Sequence, residues 1–369
     1  MSRPFSKENA EHLFPTLDLP SRDSESWRKV NLSGLDIGRY TTNGTSILEI
    51  IENAGAAIEE SAAQLDSWTG PSLTKPEDVF ESISYTHAGR FLRIISGHKS
   101  VVRLRHKCGP GVSLIHNVFA EAPEGTELTL IEEFEGRESS EHTFWNSLTT
   151  IDCKPGSIVR YLSIRRFLGN EWNFHRLRTQ QHRDSNVHAS LVHNGGFVGK
   201  TFVNAAILEQ GATFRGVGIT TLAGREFLDV EMVAEHRAND TSSSLHYKTV
   251  LKNRAHSVFN GNLVIPPGTA RVQSHQINNN ILLDRSARAE SQPRLIIQSD
   301  DVSAEHGATV GEIDPDALFL LMSRGLPEPD ARQLLMTGFL TQIAEELPLS
   351  EEEKNQIIGD SLRRLYELP

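Results

Sequence analysis

From about residue 90 to residue 298 the chain alternates apolar and polar positions with a period of two, in short runs. Val102 and Leu104 alternate with Arg103 and Arg105, and Leu128 and Leu130 alternate with Glu127 and Thr129. Such alternation predicts strands with one inward and one outward face. Turn-forming clusters punctuate the runs at Gly109-Pro110-Gly111, Gly195-Gly196 and Pro266-Pro267-Gly268, and no amphipathic helix interrupts them. A doubly wound fold would alternate strand with helix. A sandwich, a barrel and a β-helix solenoid remain open, because no clean repeat period is visible.

The flanks have a different pattern. Ile58, Ala62 and Leu65, bounded by Gly55 and by Gly70-Pro71, have helical spacing and predict one short helix in an otherwise irregular N-terminal region. After Gly311 the period becomes helical. Asp314 can cap a helix with Pro315 at its first position, Ala317, Leu318 and Leu321 form its stripe, and Gly325 sits where a left-handed C-cap is expected. A second helix opens at Glu328-Pro329 and carries Ala331, Leu335, Phe339, Ile343 and Leu347. A third opens with Ser350 and Glu353 at capping-box spacing and places Ile358, Leu362 and Leu365 on one side. The predicted division is 1–89 helical and irregular, 90–311 β, and 312–369 a helical subdomain.

Composition narrows the function. The chain has 369 residues, a net charge of −11, 38% hydrophobic and 23% charged residues. The negative balance argues against nucleic acid, because phosphate backbones call for clustered Lys and Arg, and Arg165-Arg166 and Arg363-Arg364 are isolated pairs. No apolar run approaches the roughly 20 residues that span a bilayer. Met1-Ser2-Arg3-Pro4-Phe5-Ser6 lacks the apolar core of a secretory signal, so a cytoplasmic location is expected and no membrane association.

The two cysteines, Cys108 and Cys153, make no Cys-x-x-Cys pair and fit the role of small buried hydrophobes. Four histidines, His175, His182, His188 and His193, have spacings that match no regular zinc motif and read as surface or satisfied core residues. Asp300-Asp301, adjacent on an expected strand, would face opposite ways and make a poor catalytic pair. Gly216-Val217-Gly218 lacks a third glycine and a helix, and no Gly-x-x-x-x-Gly-Lys-Ser/Thr occurs, so no phosphate loop is expected.

The most informative stretch is 299–326, where an apolar run ending at Gln298 leads through a Gly-rich segment holding His306 into the first C-terminal helix. With Ser274-His275-Gln276, Asn278-Asn279-Asn280-Ile281-Leu282-Leu283, Pro293-Arg294-Leu295-Ile296-Ile297 and Ser257-Val258-Phe259-Asn260-Gly261 before it, this stretch resembles the SufB/SufD family of iron–sulfur cluster assembly scaffolds. Leu19-Pro20-Ser21-Arg22 and Glu25-Ser26-Trp27-Arg28 are similar to the family's N-terminal element. His306-Gly307-Ala308-Thr309-Val310-Gly311 places the resemblance on the SufD side rather than the SufB side, whose turn reads more like His-Glu-Ala-Thr-Thr.

The resemblance implies a mainly β fold, a right-handed β-helix core with an N-terminal helical or irregular flank and a C-terminal helical subdomain. It also implies a non-enzymatic scaffold. His306, on a turn where the last strand leaves the sheet, would lie at the contact with a SufB-type subunit as a tentative metal donor, with Glu305 beside it. Many SufD-like chains have a cysteine where this one has Ala304. Arg324, Gly325 and Leu326, at a helix end that also carries Leu318 and Phe319, would dock a SufC-type ABC ATPase; an internal packing role suits Leu318 and Phe319 equally. A cluster normally needs about four thiolates, so this chain is expected to bind none stably alone, with a transient Fe–S cluster at a subunit interface. A homodimeric scaffold with its own cluster role is the alternative within the family, and a β-helix carbohydrate enzyme the alternative outside it.

Overall fold

The computed structural model describes residues 19–37, 47–61, 77–86, 88, 90–108 and 112–366. The start at 1–6, the turn at 109–111 and positions 62–71 lie outside the described residues. Among the described residues, sixteen strands form one β-solenoid. β1 is Ile47–Ser61, β2 Arg90–Lys107, β3 Ser113–Ala122, β4 Glu127–Glu135, β5 Thr143–Cys153, β6 Ile158–Arg166, β7 Glu171–Gln181 and β8 Asn186–Asn194. β9 is Val198–Ile207, β10 Thr213–Leu222, β11 Phe227–His236, β12 Ser242–Leu251, β13 His256–Ile265, β14 Val272–Leu282, β15 Arg288–Ile297 and β16 Val302–Gly311. Even and odd strands make two parallel sheets, ordered β15-β13-β11-β9-β7-β5-β3-β2 and β2-β4-β6-β8-β10-β12-β14-β16.

The sheets are joined at β2, which bends so that residues 90–95 pair with β3 and residues 99–107 pair with β4. At the bend a Cβ on Gly97 would lie 2.4 Å from the Gly55 carbonyl oxygen. Only glycine permits this approach of β1 to β2. β1 runs antiparallel along both halves of β2 and covers the first rung. This corrects the helix expected from Ile58, Ala62 and Leu65: Ile58 pairs with Ile94 in the sheet, and Ala56 and Ile58 pack against the core in alternation. A short segment that satisfies both periods goes where an open edge offers it backbone partners.

In-register neighbours in adjacent rungs are not evenly spaced in sequence. Asn194 and Thr221 are 27 positions apart, Arg215 and Ser244 are 29, and Ser243 and Ser274 are 31. The turns absorb the variation, and one corner recurs in each rung as a stack of left-handed residues: Gly125, Gly156, Asp184, Gly211, Asp240 and Arg271. Each amide from Gly125 to Arg271 donates to a carbonyl of the next rung.

Both outer faces are covered. On the even sheet, Ile131, Leu162, Ile164, Val192, Val217, Ile219 and Val250 share one buried cluster with residues of the C-terminal helices. These helices are α2 (Pro315–Ser323), α3 (Glu328–Ala344) and α4 (Glu351–Tyr366), preceded in the chain by α1 (Val79–Thr86). Asp314 caps α2 by accepting from Asp316 N and Ala317 N, Gly325 adopts φ +93°, and the Ser350–Glu353 capping box forms. Arg103 to Glu353, Arg166 to Asp360 and Arg364 to Glu226 tie α4 to the solenoid. On the odd sheet, Trp27 of the Glu-x-Trp-Arg element stacks on Phe80 of α1 at 5.0 Å and meets Phe174 and Phe202.

The corner stack yields a stability test. Gly125 has φ +67° with open space around its Cβ position, whereas Gly307 in β16 has no positive φ and equally open space. Gly125→Ala is expected to lower unfolding free energy by about 1–2 kcal/mol through backbone strain alone, and Gly307→Ala to be neutral. Urea titration of both variants checks this.

Candidate functional site

The two ends of the solenoid differ. β1 covers the first rung, whereas β15 and β16 terminate their sheets with open edges, and β16 is exposed along most of its length. Residues 302–311 pair in parallel with β14, so His306 lies on an edge strand, which corrects the Gly-rich turn expected there. Gly307 and Gly311 have ordinary backbone angles, and the unpaired edge of β14 recruits the segment into the ladder despite its glycines.

Register decides which way the side chains face, because laterally paired residues in a parallel sheet project to the same side. His306 pairs with Gln276, which is buried and inward-facing, while Glu305 pairs with the exposed His275. His306 therefore stands over the lumen at the open mouth, and Glu305 faces outward. The structure does not bring these two candidate donors together. Ala304, paired with buried Ser274, shares the inward face with His306. Asp300 and Asp301 lie in the bend between β15 and β16 rather than on a strand.

Below the mouth, the lumen contains a buried polar network. Glu132, Tyr161, Arg165 and His175 occupy inward positions otherwise filled by Leu128, Leu130 and Phe134. Arg165 Nη2 donates to Ser147 Oγ at 2.9 Å, Ser147 contacts His175 Nδ1 at 2.8 Å, His175 Nε2 contacts the Tyr161 hydroxyl at 3.2 Å, and Tyr161 donates to Glu132 Oε2 at 2.8 Å. A guanidinium only donates and a carboxylate only accepts, so the chain has one direction, with His175 protonated on Nε2. Thr149 donates to the same carboxylate at 2.6 Å. Burial alone would raise the Glu132 carboxyl, but the imidazoles of His106 and His116 offset it and hold the group well below its usual range.

His106, His116 and Glu132 are the one set of three metal-ligand side chains grouped among the described residues. Both Nε2 atoms approach Glu132 Oε1, at 3.4 and 3.2 Å. The rings, however, stack at 4.2 Å with planes 21° apart, and His106 also stacks on Phe134 at 4.6 Å. A metal must lie in the plane of each imidazole that binds it, and nearly parallel planes do not meet between the rings. The arrangement is a stacked polar plug, with Arg165 covering Phe134 from the far side at 3.9 Å.

The remaining candidates fall into place. His175 and His193 are buried in hydrogen bonds, with His193 meeting Thr201 at 3.2 Å and Tyr247 at 3.3 Å. His182 bridges Asp152 and Glu209, and His188 is half-buried on the even sheet. Cys108 and Cys153 are free and buried; burial pushes the Cys108 thiol up to about 12 and raises Cys153 further. Neither is a ready thiolate. At the α2 end, Arg324 and Gly325 are exposed and Leu326 half-buried. Leu318 packs against the helical cluster, whereas Phe319, Leu320 and Met322 are 72%, 55% and 41% exposed.

Sequence reasoning passed over Gln276, Glu132 and Tyr161 as site residues and read Arg165 as part of a solvated basic pair, whereas Arg165 is fully buried. The available signal was a polar side chain in the apolar phase of an alternating strand, as in Leu128-x-Leu130-x-Glu132-x-Phe134.

Burial, then His116, push the His106 imidazole down to about 4. The unfolded chain takes up that proton near 6.5, so this contribution is complete above pH 6.5 and is lost as pH falls toward 4. Glu226 and Asp229, raised by burial to about 7 and about 6, act in the opposite sense, so the test is a difference. Between pH 7 and pH 4.5, His106→Phe should lose about 2.5 kcal/mol less stability than the wild type, by urea titration at both pH values.

Residues 106–339 match the family profile described as the SUF system FeS cluster assembly SufBD core domain. The chain is 28% identical over 244 residues to the iron–sulfur cluster assembly protein SufD of Escherichia coli, covering 66% of this chain and 57% of that one. Against SufD of Bacillus subtilis it is 27% identical over 260 residues, covering 67% and 56%. Against a SufBD family protein of Synechocystis it is 27% identical over 208 residues, covering 56% and 46%. The chain thus spans about half the length of the curated relatives it matches. No helix among the described residues is long and apolar enough to cross a membrane. With a profile match over more than half its length and a parallel β-solenoid through that region as far as Gly311, the chain belongs to the SufBD-core family of iron–sulfur cluster assembly proteins.

Proposed function

We propose that this chain is a SufD-like scaffold subunit that acts without catalysis of its own, in the cytoplasm. It pairs through the open end of its solenoid with a SufB-type subunit and recruits a SufC-type ABC ATPase through α2 and the turn after it. The observation that carries this reading is the asymmetry of the solenoid: one end is closed by β1, the other leaves the β16 edge unpaired with His306 over the lumen. An open strand edge is a template for pairing with another chain. Neutral imidazole is a competent iron ligand, and the two buried thiols require the sulfur ligands of a transient cluster to come from the partner.

The helical end supplies the second contact. Phe319, Leu320, Met322 and Leu334 are exposed on α2 and α3, close in sequence to Arg324, Gly325 and Leu326. Apolar anchors with a cation beside them suit a protein partner rather than solvent. The ATPase would use nucleotide energy to reshape the shared interface.

Anaerobic co-expression with SufB-type and SufC-type partners tests the reading. The expected products are a mixed complex on light scattering and a visible cluster absorption that His306→Ala abolishes or strongly reduces. Recovery of this chain only as a symmetric dimer, to which the open β16 edge also lends itself, would instead favour a homodimeric scaffold. At the second contact, Phe319→Ala should weaken ATPase binding by about 2 kcal/mol, roughly 30-fold, in calorimetric titration. Unchanged affinity would remove α2 from the docking surface.

A further inference from the structure

We propose that Gln276 is the positioning residue for His306, its side-chain carbonyl accepting the ring N–H and leaving the other ring nitrogen free to bind metal at the open rung. The proposal rests on the reading of His306 given above and adds the group that sets its tautomer.

Four observations lead to Gln276. It pairs in register with His306, so the two side chains project to the same side about 4.8 Å apart along the sheet. It is only 2% exposed, yet both its amide oxygen and its amide nitrogen are buried without a hydrogen-bond partner. Its own column and its own strand offer it no free partner. The next residues inward in the same column are Leu245 and Gly216, which offer no polar side chain. On its own strand, Ser274 is engaged with Ser243, and Asn278 with the Tyr247 carbonyl and Asn280. Across the lumen the amide rests on Gly261, where a Cβ would lie 2.0 Å from Gln276 Oε1. The small residue of the Phe259-Asn260-Gly261 step thus makes room for the amide and keeps it beneath the mouth.

A buried amide with no partner is rare in a folded protein, and here the one polar side chain on the open side of its column is His306. Metal-binding histidines commonly donate their second ring nitrogen to a carbonyl or carboxylate, which fixes both tautomer and ring orientation. Gln276 lies one rung beneath His306 in the same column, and its free amide can take the ring N–H once the imidazole turns over the mouth.

The test has two arms. In the full-length chain with 15N-labelled histidines, the His306 resonances are identified by their loss in His306→Ala. The expected result is a single dominant His306 tautomer in the wild type and in Gln276→Glu, which keeps an acceptor, and a shift toward the free-imidazole mixture in Gln276→Leu. Ser291→Ala, which removes a second unpartnered buried polar group facing this mouth, should leave the signal unchanged. In the co-expressed complex, Gln276→Leu should lower the affinity for added Fe2+ by about 10- to 100-fold, with recovery in Gln276→Glu. His306 resonances identical in wild type and Gln276→Leu, or displaced only by Ser291→Ala, would overturn the pairing. Retention of full iron binding by His306→Ala would overturn the donor reading, a result obtained separately from the resonance comparison.

Discussion

Parallel, in-register stacking is the constraint on which the rest of this structure depends. Once Gln276 is fixed opposite His306, Leu245 opposite Gln276 and Gly216 opposite Leu245, the inward or outward orientation of every side chain in those columns is determined. A shift of one residue in any rung would turn its whole apolar set outward. The recurring left-handed corner from Gly125 to Arg271 keeps that register, because each corner amide is anchored to a carbonyl one rung on. Turn length can then vary without disturbing the columns.

The same stacking imposes a rule on the lumen: a polar side chain facing inward must find its partner in the adjacent rungs or the opposite wall. Glu132 and Arg165 obey it by linking through Tyr161, His175 and Ser147, so that opposite charges end a single directed hydrogen-bond chain. A buried carboxylate or guanidinium alone would be far costlier. The ring stack of His116, His106 and Phe134 with Arg165 fills the space beside it, which accounts for a cluster of metal-binding residue types that serves as core. At the final rung no next rung exists to supply a partner, and there Gln276 has none and His306 is exposed.

The outer faces are treated unequally. Trp27, α1 and their aromatic partners seal part of the odd sheet, and the C-terminal helices seal the even sheet through apolar packing and ion pairs at Arg103, Arg166 and Arg364. The helices thereby form one buried cluster with the outer face of the even sheet, and Phe319, Leu320 and Leu334 of α2 and α3 are left exposed.

The sequence by itself determined the local features: period-two strands between 90 and 298, helices with Asp314, Gly325 and Ser350–Glu353 at their ends, and two cysteines far apart in the chain. These depend on neighbours a few residues apart, which a sequence displays directly. The family resemblance, carried by segments such as Ser274-His275-Gln276, supplied the β-helix. Only the tertiary structure decided that residues 47–61 and 302–311 are strands, that Glu305 and His306 face opposite ways, and that Glu132 and His106 are core. Each of these depends on lateral pairing between distant positions, 27 to 31 residues apart between parallel rungs and up to 60 apart where β1 meets β2. Turns of uneven length hide that spacing from any fixed period, and a glycine-bearing segment such as 302–311 becomes a strand only because β14 offers it an unpaired edge.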